Sequence, residues 1–160
     1  IEAQELLYDE TAPAFVQYFD LLPGAEEFIR ALHGKMKIAL VSNGVSAIQR
    51  SRLSKSPLTP LYDAIVISEE VGDHKPAAVM FQTAMDRMGL TDGDKGRVIM
   101  VGNNLARDIV GANRFGIGSV HFCWSPRYPH EASTPEEEPT YRIRDIRELL
   151  ELAERLESTL

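Results

Sequence analysis

The residues of this sequence that are best suited to chemistry come directly after three apolar segments. They are Ser42, Asn43 and Gly44 after the first segment, Lys75 in the loop after the second, and Asn103, Asn104 and Asp108 after the third. A hydroxyl and an amide beside a glycine can donate hydrogen bonds to an oxyanion, and a lysine can neutralise a phosphate. Amide and carboxylate oxygens are hard ligands of the kind that Mg²⁺ prefers. These residue types therefore suit a phosphorylated ligand and a divalent cation.

Each group also has an ordinary structural explanation when it is taken alone. Ser42 and Asn43 are residues that commonly cap helices and turns, and Lys75 could be a solvated surface lysine. Asn104 and Asp108 could be the cap and the first-turn acid of a helix. The placement of all three groups at successive strand ends is more specific than any one of them, and it favours the functional interpretation.

Apolar segments that predict strands alternate with amphipathic segments that predict helices. The predicted strands are Met36–Val41, Ala64–Ser68, 97–101, Ser119–Trp124 and Tyr141–Ile143. The main predicted helices run from Ser46 to about Lys55, from 77 to about 88, from about Ala106 to Phe115, and through the C-terminal segment that includes Ile146 and Leu156. The alternation predicts an α/β fold, a Rossmann-like three-layer sandwich with a mainly parallel sheet. Because parallel strands end at one edge of a sheet, Ser42, Lys75 and Asp108 should converge there.

The composition is typical of a globular protein with a single core. The chain has 160 residues, of which 44% are hydrophobic and 26% are charged. The formal net charge of −7 argues against binding to nucleic acid or to an anionic membrane. Cys123 is the single cysteine, so no internal disulfide can form and the expected location is the reducing cytoplasm. No segment is long enough to span a membrane, and the first residues do not resemble a signal peptide.

Several short motifs follow one another in a defined order along the chain. They are Leu22-Pro23-Gly24-Ala25, Val41-Ser42-Asn43-Gly44, Ile67-Ser68-Glu69-Glu70-Val71-Gly72, Lys75-Pro76 and the stretch from Gly102 to Asp108. Together they resemble the haloacid dehalogenase superfamily, whose members are mostly phosphatases. The resemblance is to the branch that contains nucleotide phosphatases and 2-haloacid dehalogenases, and it extends from about Leu21 to the C-terminus.

The resemblance implies roles for the residues on the phosphate side of the site. Ser42 and Asn43 are expected to hold the transferring phosphoryl group. Lys75 is expected to orient the nucleophile and the phosphate. Gly44 and Asn104 are expected to contact the substrate.

The metal side departs from the family's pattern at Asn103. The resemblance implies that Asn103 and Asp108 support Mg²⁺, but the family has an aspartate at the first of these positions. The loss of one carboxylate should weaken binding of the cation. Because the family's haloacid dehalogenases work without a metal, the amide keeps that activity as an alternative.

The nucleophile is the second departure. In the family it is an aspartate in an Asp-x-Asp context at the end of the first strand, and no predicted strand of this sequence ends in that way. Residues 1–20 are interpreted as the tail of the helical cap that follows such a strand. Residues 21–160 are interpreted as the α/β core, incomplete at its N-terminus.

These observations favour one function and leave two alternatives open. The favoured function is a cytoplasmic, Mg²⁺-dependent phosphatase that acts on a small phosphorylated metabolite through an aspartyl-phosphate. The first alternative is a metal-independent 2-haloacid dehalogenase. The second is a non-catalytic, truncated or degenerate domain that binds a ligand or a partner. Ser42, Lys75 and Asp108 favour an enzyme, whereas the missing nucleophile favours the non-catalytic domain for the chain as it stands.

Overall fold

Strands and helices alternate along the chain in the computed structural model, which describes residues 21–157. The strands are β1 (Ala39–Ser42), β2 (Ala64–Ile67), β3 (Ile99–Gly102), β4 (Gly118–Phe122) and β5 (Tyr141–Ile143). The α-helices are α1 (Ala25–Leu32), α2 (Ser46–Lys55), α3 (Ser68–Val71), α4 (Ala78–Arg87), α5 (Val110–Phe115) and α6 (Arg147–Glu157). The predicted α/β fold class is confirmed, and the predicted bounds of β5 and α2 agree with the observed ones.

The strands pair in parallel and form two sheets. β1 pairs with β2, which places Ser42 opposite Ile67. β4 lies between β3 and β5, and its residue His121 is opposite Gly102 of β3. Within residues 21–157 no pairing joins β1 to β3, so each of these two strands has one edge without a strand partner.

Two apolar clusters hold the helices against the strands. In the first, Val66 of β2 packs with Met80, Phe81 and Met85 of α4 and with Phe115 of α5. The second is formed by Val120, Ile143, Leu149 and Leu152. Full burial of an aliphatic or aromatic side chain stabilises a fold by roughly 1.5–3 kcal/mol. Because Met80 and Met85 of α4 are buried, they are core residues, as their helical spacing predicted.

Two segments differ in type from the sequence prediction, and β1 begins at Ala39 instead of Met36. Ser68–Val71 forms the helical turn α3, where the end of a strand and a loop were expected. Leu105–Ile109 forms a π-helical turn ahead of α5, where an ordinary helix was expected. The carbonyl of Asn104 accepts the N–H of Asp108 at 2.8 Å and also that of Ile109, five residues ahead, at 3.4 Å. A hydrogen bond to the fifth residue widens the turn, which accounts for the π-helical geometry.

The division into a cap tail and an α/β core stays a prediction. The predicted cap tail, residues 1–20, lies outside the described residues, and the core is described as far as residue 157. Over that range, none of the helices combines the length and the apolarity needed to cross a membrane.

Gly111 allows α5 to lie against the segment that carries Lys75. A Cβ atom at Gly111 would lie 2.6 Å from two ring atoms of Phe81 and 3.2 Å from Cα of Pro76. The ring of Phe81 is buried and stacks on Phe115, so it has little room to move. The absent side chain therefore sets the distance between α5 and the Lys75–Pro76 segment.

Gly111→Ala should lower the free energy of unfolding by about 1–3 kcal/mol, because overpacking displaces the ring of Phe81 or the backbone of Pro76. Gly96→Ala is the matched control, since a Cβ atom at Gly96 meets nothing within 4 Å. This control should change stability by less than about 0.5 kcal/mol. Chemical denaturation of the full chain measures both variants, and equal stabilities would contradict the close packing at Gly111.

Candidate active site

Lys75 is buried where the loop after α3 passes the end of β1. The residue is 8% exposed, so its interpretation as a solvated surface lysine is wrong. Its Nζ donates to the carbonyl of Val41 at 2.9 Å and lies 2.7 Å from Oδ1 of Asp108. Lys75 thereby links the end of β1 to the π-helical turn that follows β3.

The side chain of Asn43 holds the backbone of Lys75 in this place. Nδ2 of Asn43 donates to the carbonyl of Lys75 at 3.0 Å, and Oδ1 accepts the N–H of Lys75 at 2.8 Å. Paired hydrogen bonds from one amide fix both the position and the orientation of the backbone they contact. Oδ1 of Asn43 and one N–H of its Nδ2 are used in this way, so a contact with a phosphoryl group would use the second N–H of Nδ2 or the backbone. That contact stays a prediction.

The segment after β1 is also tied to α3. The N–H of Gly44 donates to Oγ of Ser68 at 2.9 Å, and this hydroxyl donates back to the carbonyl of Gly44 at 3.3 Å. At the start of α2, the hydroxyl of Ser46 donates to Glu70 at 2.5 Å. The hydrogen bonds from Arg50 and, second, from Ser46 lower the pKa of Glu70 to about 2. Ser68 was predicted to end a strand and belongs to one of the motifs, but no role was predicted for its hydroxyl, which fixes the backbone next to Ser42 and Asn43.

Asp108 is buried, and both of its carboxylate oxygens have partners. Oδ1 lies 2.7 Å from Nζ of Lys75, and Oδ2 accepts the N–H of Asn104 at 3.0 Å. A Cβ atom at Gly102 would lie 2.3 Å from Oδ2 of Asp108. The glycine at the end of β3 is therefore required by the position of the Asp108 carboxylate.

Asn104 caps the first turn after β3, as its structural explanation predicted. Its Oδ1 accepts the N–H of Arg107 at 3.0 Å. The cap holds the turn that presents Asp108 to Lys75. A contact between Asn104 and a substrate stays a prediction.

A buried histidine that the sequence analysis did not single out contacts the same turn. His121 is 0% exposed, with Nε2 3.3 Å from the carbonyl oxygen of Asn103 and Nδ1 3.3 Å from Sγ of Cys123. Burial is the main cause that lowers the pKa of His121 and raises the pKa of the Cys123 thiol, and both shifts favour the uncharged form of the side chain. The available signal was a polar ring inside the apolar run 119–124.

The predicted residues meet at the carboxyl ends of β1 and β3. Lys75 contacts Asp108 directly, and Ser42 is the last residue of β1 next to Val41. Asn103 follows the last residue of β3. The expected convergence of these residues is therefore observed, while their chemical roles stay predictions.

An open depression of about 250 Å³ adjoins this edge and is lined by Gly44, Val45, Ser68, Glu69, Gly72, Asp73 and His74.

The donor set at this edge fits Mg²⁺ in its chemistry but not in its charge. Asn103 and Asp108 offer oxygen ligands, which suit the cation. Asp108 supplies a single negative charge, and Lys75 already balances it at 2.7 Å. In the part of the chain that the structure describes, no cluster of three or more His, Cys, Asp or Glu side chains could hold a metal ion. A complete Mg²⁺ site would need further carboxylates.

Lys75→Met and Asp108→Asn should each lower the free energy of unfolding by about 3–5 kcal/mol, because each leaves a buried charge without its partner. The double variant should cost clearly less than the sum of the two. Lys37→Met is the control, since Lys37 pairs with Asp63 at 3.2 Å while its side chain is 58% exposed. The control should cost less than about 1 kcal/mol in urea denaturation. Additive effects of the two buried substitutions would contradict the pairing.

Comparison with known proteins reveals relatives with phosphatase names. The haloacid dehalogenase-like hydrolase profile matches residues 2–116. Pyrimidine 5'-nucleotidase YjjG of Escherichia coli (strain K12) is 37% identical over 132 residues, which cover 82% of this chain and 56% of that protein. Ribulose-1,5-bisphosphate 5-phosphatase of Halopiger xanaduensis is 36% identical over 110 residues, which cover 68% of this chain and 45% of that protein. The chain thus spans about half the length of these curated relatives.

A solved structure agrees with the sequence relatives. The crystal structure of the HAD-hydrolase YfnB from Bacillus subtilis, bound to magnesium, matches with a TM-score of 0.80 and 28% identity. The match covers 92% of this chain and 62% of that one. Given the extent of the profile match and the identity with the nucleotidase, the chain belongs to the haloacid dehalogenase-like hydrolase family.

Proposed function

We propose that the protein is a Mg²⁺-dependent phosphatase of a small phosphorylated metabolite that acts through an aspartyl-phosphate. The observation that carries the proposal is the buried ammonium of Lys75, held by the carbonyl of Val41 at 2.9 Å and by Asp108 at 2.7 Å. An ammonium has three N–H donors, and these two contacts leave one for a substrate or nucleophile oxygen. The relatives named as a nucleotidase and a bisphosphate phosphatase support the same class of reaction.

We place the nucleophilic carboxylate at the end of a further strand, which would lie between β1 and β3. Within residues 21–157 both strands have an edge without a strand partner, and Lys75 joins their carboxyl ends. A parallel strand at that place would unite the two sheets and end beside Lys75. A carboxylate at its end would have its charge balanced by the lysine, which keeps it ionised and oriented.

In the proposed reaction, a carboxylate oxygen bonds to phosphorus while the bond from phosphorus to the ester oxygen breaks, and the leaving alkoxide takes a proton from water. Water then hydrolyses the acyl phosphate, which releases inorganic phosphate and regenerates the carboxylate. The hydroxyl of Ser42 and backbone N–H groups after β1 donate to the phosphoryl oxygens, and Lys75 neutralises the charge that develops on them. Mg²⁺, held by Asn103, Asp108 and further carboxylates, would supply additional neutralisation of those oxygens.

The depression lined by Gly44 and His74 adjoins the end of β1 and is the expected binding place of the leaving group.

The cytoplasm is the proposed cellular location. The buried thiol of Cys123, which has no partner cysteine, supports it.

A metal-independent 2-haloacid dehalogenase is the second candidate function, and Asn103 is the observation that favours it. An amide adds no charge to a cation site, and Lys75 already balances the carboxylate of Asp108. The same carboxylate nucleophile would then displace a halide from carbon, with no cation needed.

Residues 1–160 alone should not hydrolyse phosphate monoesters, because no strand described here ends in an Asp-x-Asp motif. A version extended by the upstream residues of its gene should release inorganic phosphate from members of a monoester panel. In that version Lys75→Met should lower kcat/KM by about 10²–10³-fold, as expected for a group that stabilises developing charge. The control Lys37→Met should leave the rate unchanged. Robust turnover by residues 1–160 would contradict the proposed nucleophile, and an extended protein that folds but stays inactive on the panel would favour a binding domain.

Asn103→Asp should separate the two candidate enzymes. In a Mg²⁺-dependent phosphatase the new carboxylate adds a charged ligand, so the Mg²⁺ concentration that gives half-maximal activity should fall. In a metal-independent dehalogenase the same charge repels an anionic substrate, so activity should fall at every Mg²⁺ concentration. Titration of Mg²⁺ against both proteins, with a phosphate ester and a 2-haloacid in parallel, measures the difference. An identical metal response of the two proteins would remove Asn103 from the metal site.

A further inference from the structure

His121 has no part in the proposed reaction, yet it ends a series of hydrogen bonds that leads to Lys75. Its side chain is completely buried on β4, opposite Gly102 of β3. The neighbouring residue Val120 packs into the apolar cluster with α6. Because side chains alternate along a strand, the imidazole of His121 faces the other side, where the turn after β3 lies.

The partners of His121 determine where its proton lies. The carbonyl of Asn103 can only accept a hydrogen bond, so Nε2, at 3.3 Å, must donate to it. In an uncharged imidazole Nδ1 is then an acceptor, and the S–H of Cys123 donates a hydrogen bond to it at 3.3 Å. Both ring nitrogens are therefore used, and they fix the rotation of the ring as well as its tautomer.

The peptide that joins Asn103 to Asn104 is held at both of its polar atoms. Its carbonyl accepts the hydrogen bond from His121, and its N–H donates to Oδ2 of Asp108 at 3.0 Å. The other oxygen of Asp108 lies 2.7 Å from Nζ of Lys75. Rotation of this peptide would break both of its hydrogen bonds and would release the carboxylate that pairs with the lysine.

We propose that His121 is a positioning residue of the site: by holding the carbonyl of Asn103 it fixes the 103–104 peptide, whose N–H orients Asp108 toward Lys75. The catalytic consequence of this placement rests on the proposed phosphatase function. The placement of the 103–104 peptide and of Asp108 does not depend on that function, so the geometric and catalytic consequences can be tested separately.

A purely space-filling role would not account for this residue. A fully buried imidazole loses its hydration, which is offset only if its nitrogens find partners inside the protein. An apolar ring at the same place would leave the carbonyl of Asn103 without a partner, which is the larger part of the cost of removing a hydrogen bond. The ring centroids of His130 and His121 lie 6.4 Å apart in a T-shaped arrangement. The ring of His130 donates to the carbonyl of Ser125, so it does not replace His121 as the donor to Asn103.

The first experiment needs no variant. Nitrogen-15 correlation spectra of the histidine rings in the full chain report which nitrogen carries the proton. We expect His121 to be in the uncharged form protonated at Nε2, with Nδ1 showing the shift of an acceptor. A ring protonated only at Nδ1 would overturn the proposal, since its Nε2 cannot donate to Asn103. Cys123→Ala should lower the population of this tautomer, whereas Cys123→Ser, which keeps a donor, should preserve it.

The second experiment compares two amides at position 121. In His121→Gln the side-chain N–H reaches the place of Nε2, whereas in His121→Asn it reaches only the place of Nδ1. Hydrogen exchange at the N–H of Asn104 should quicken about tenfold in His121→Asn and stay near the native rate in His121→Gln, while the amides of β3 and β4 stay protected in both. Equal exchange in the two variants, fast or slow, would overturn the positioning role.

Turnover tests the catalytic consequence in the version extended by the upstream residues, with a phosphate monoester that this version hydrolyses. His121→Asn should lower kcat about tenfold with little change in KM, and His121→Gln should recover most of the loss, because only the former releases Asp108. Equal kcat values for the two variants would contradict the catalytic consequence. If the native protein hydrolyses no phosphate ester, the proposed function fails, whereas the ring spectra and the exchange rates still decide the role of His121.

Discussion

The buried contact between the ammonium of Lys75 and the carboxylate of Asp108 is the interaction on which the site depends. Each charge alone would be costly to remove from water, and their mutual attraction offsets this cost only when further hydrogen bonds satisfy both groups. The carbonyl of Val41 and the N–H of Asn104 supply those bonds. The pair therefore requires the end of β1 and the turn after β3 to keep one relative position.

Most polar residues at this edge act on the backbone of their neighbours. Asn43 binds the peptide groups of Lys75, Ser68 binds those of Gly44, and Asn104 caps its own turn. Side-chain amides and hydroxyls beside a phosphate site are easily interpreted as ligand contacts. Here their hydrogen bonds place the lysine and the carboxylate, and they engage the backbone N–H groups of Gly44 and Lys75.

The two sheets meet at this site through side chains rather than through strand pairing in the described part of the chain. Two glycines make the approach possible. Gly102 leaves room for the carboxylate of Asp108, and Gly111 lets α5 lie against Phe81 and Pro76. A side chain at either position would separate elements whose distance sets the geometry of the lysine and the carboxylate.

The sequence by itself determined the elements and the identity of the central residues. Apolar segments and helical spacing predicted the strands, most helices and the α/β class, and the motifs predicted that Lys75 and Asp108 would lie at strand ends. These features follow from local periodicity and from the rule that parallel strands end at one edge. Tertiary structure alone decided that Lys75 is buried, that Asn43 binds a peptide 32 residues away, and that His121 reaches Asn103 across 18 residues. It also decided the π-helical turn and the division into two sheets. Such contacts join residues far apart in the chain, and no local pattern encodes which buried polar group will find which partner, because that choice is made by the packing of the whole core.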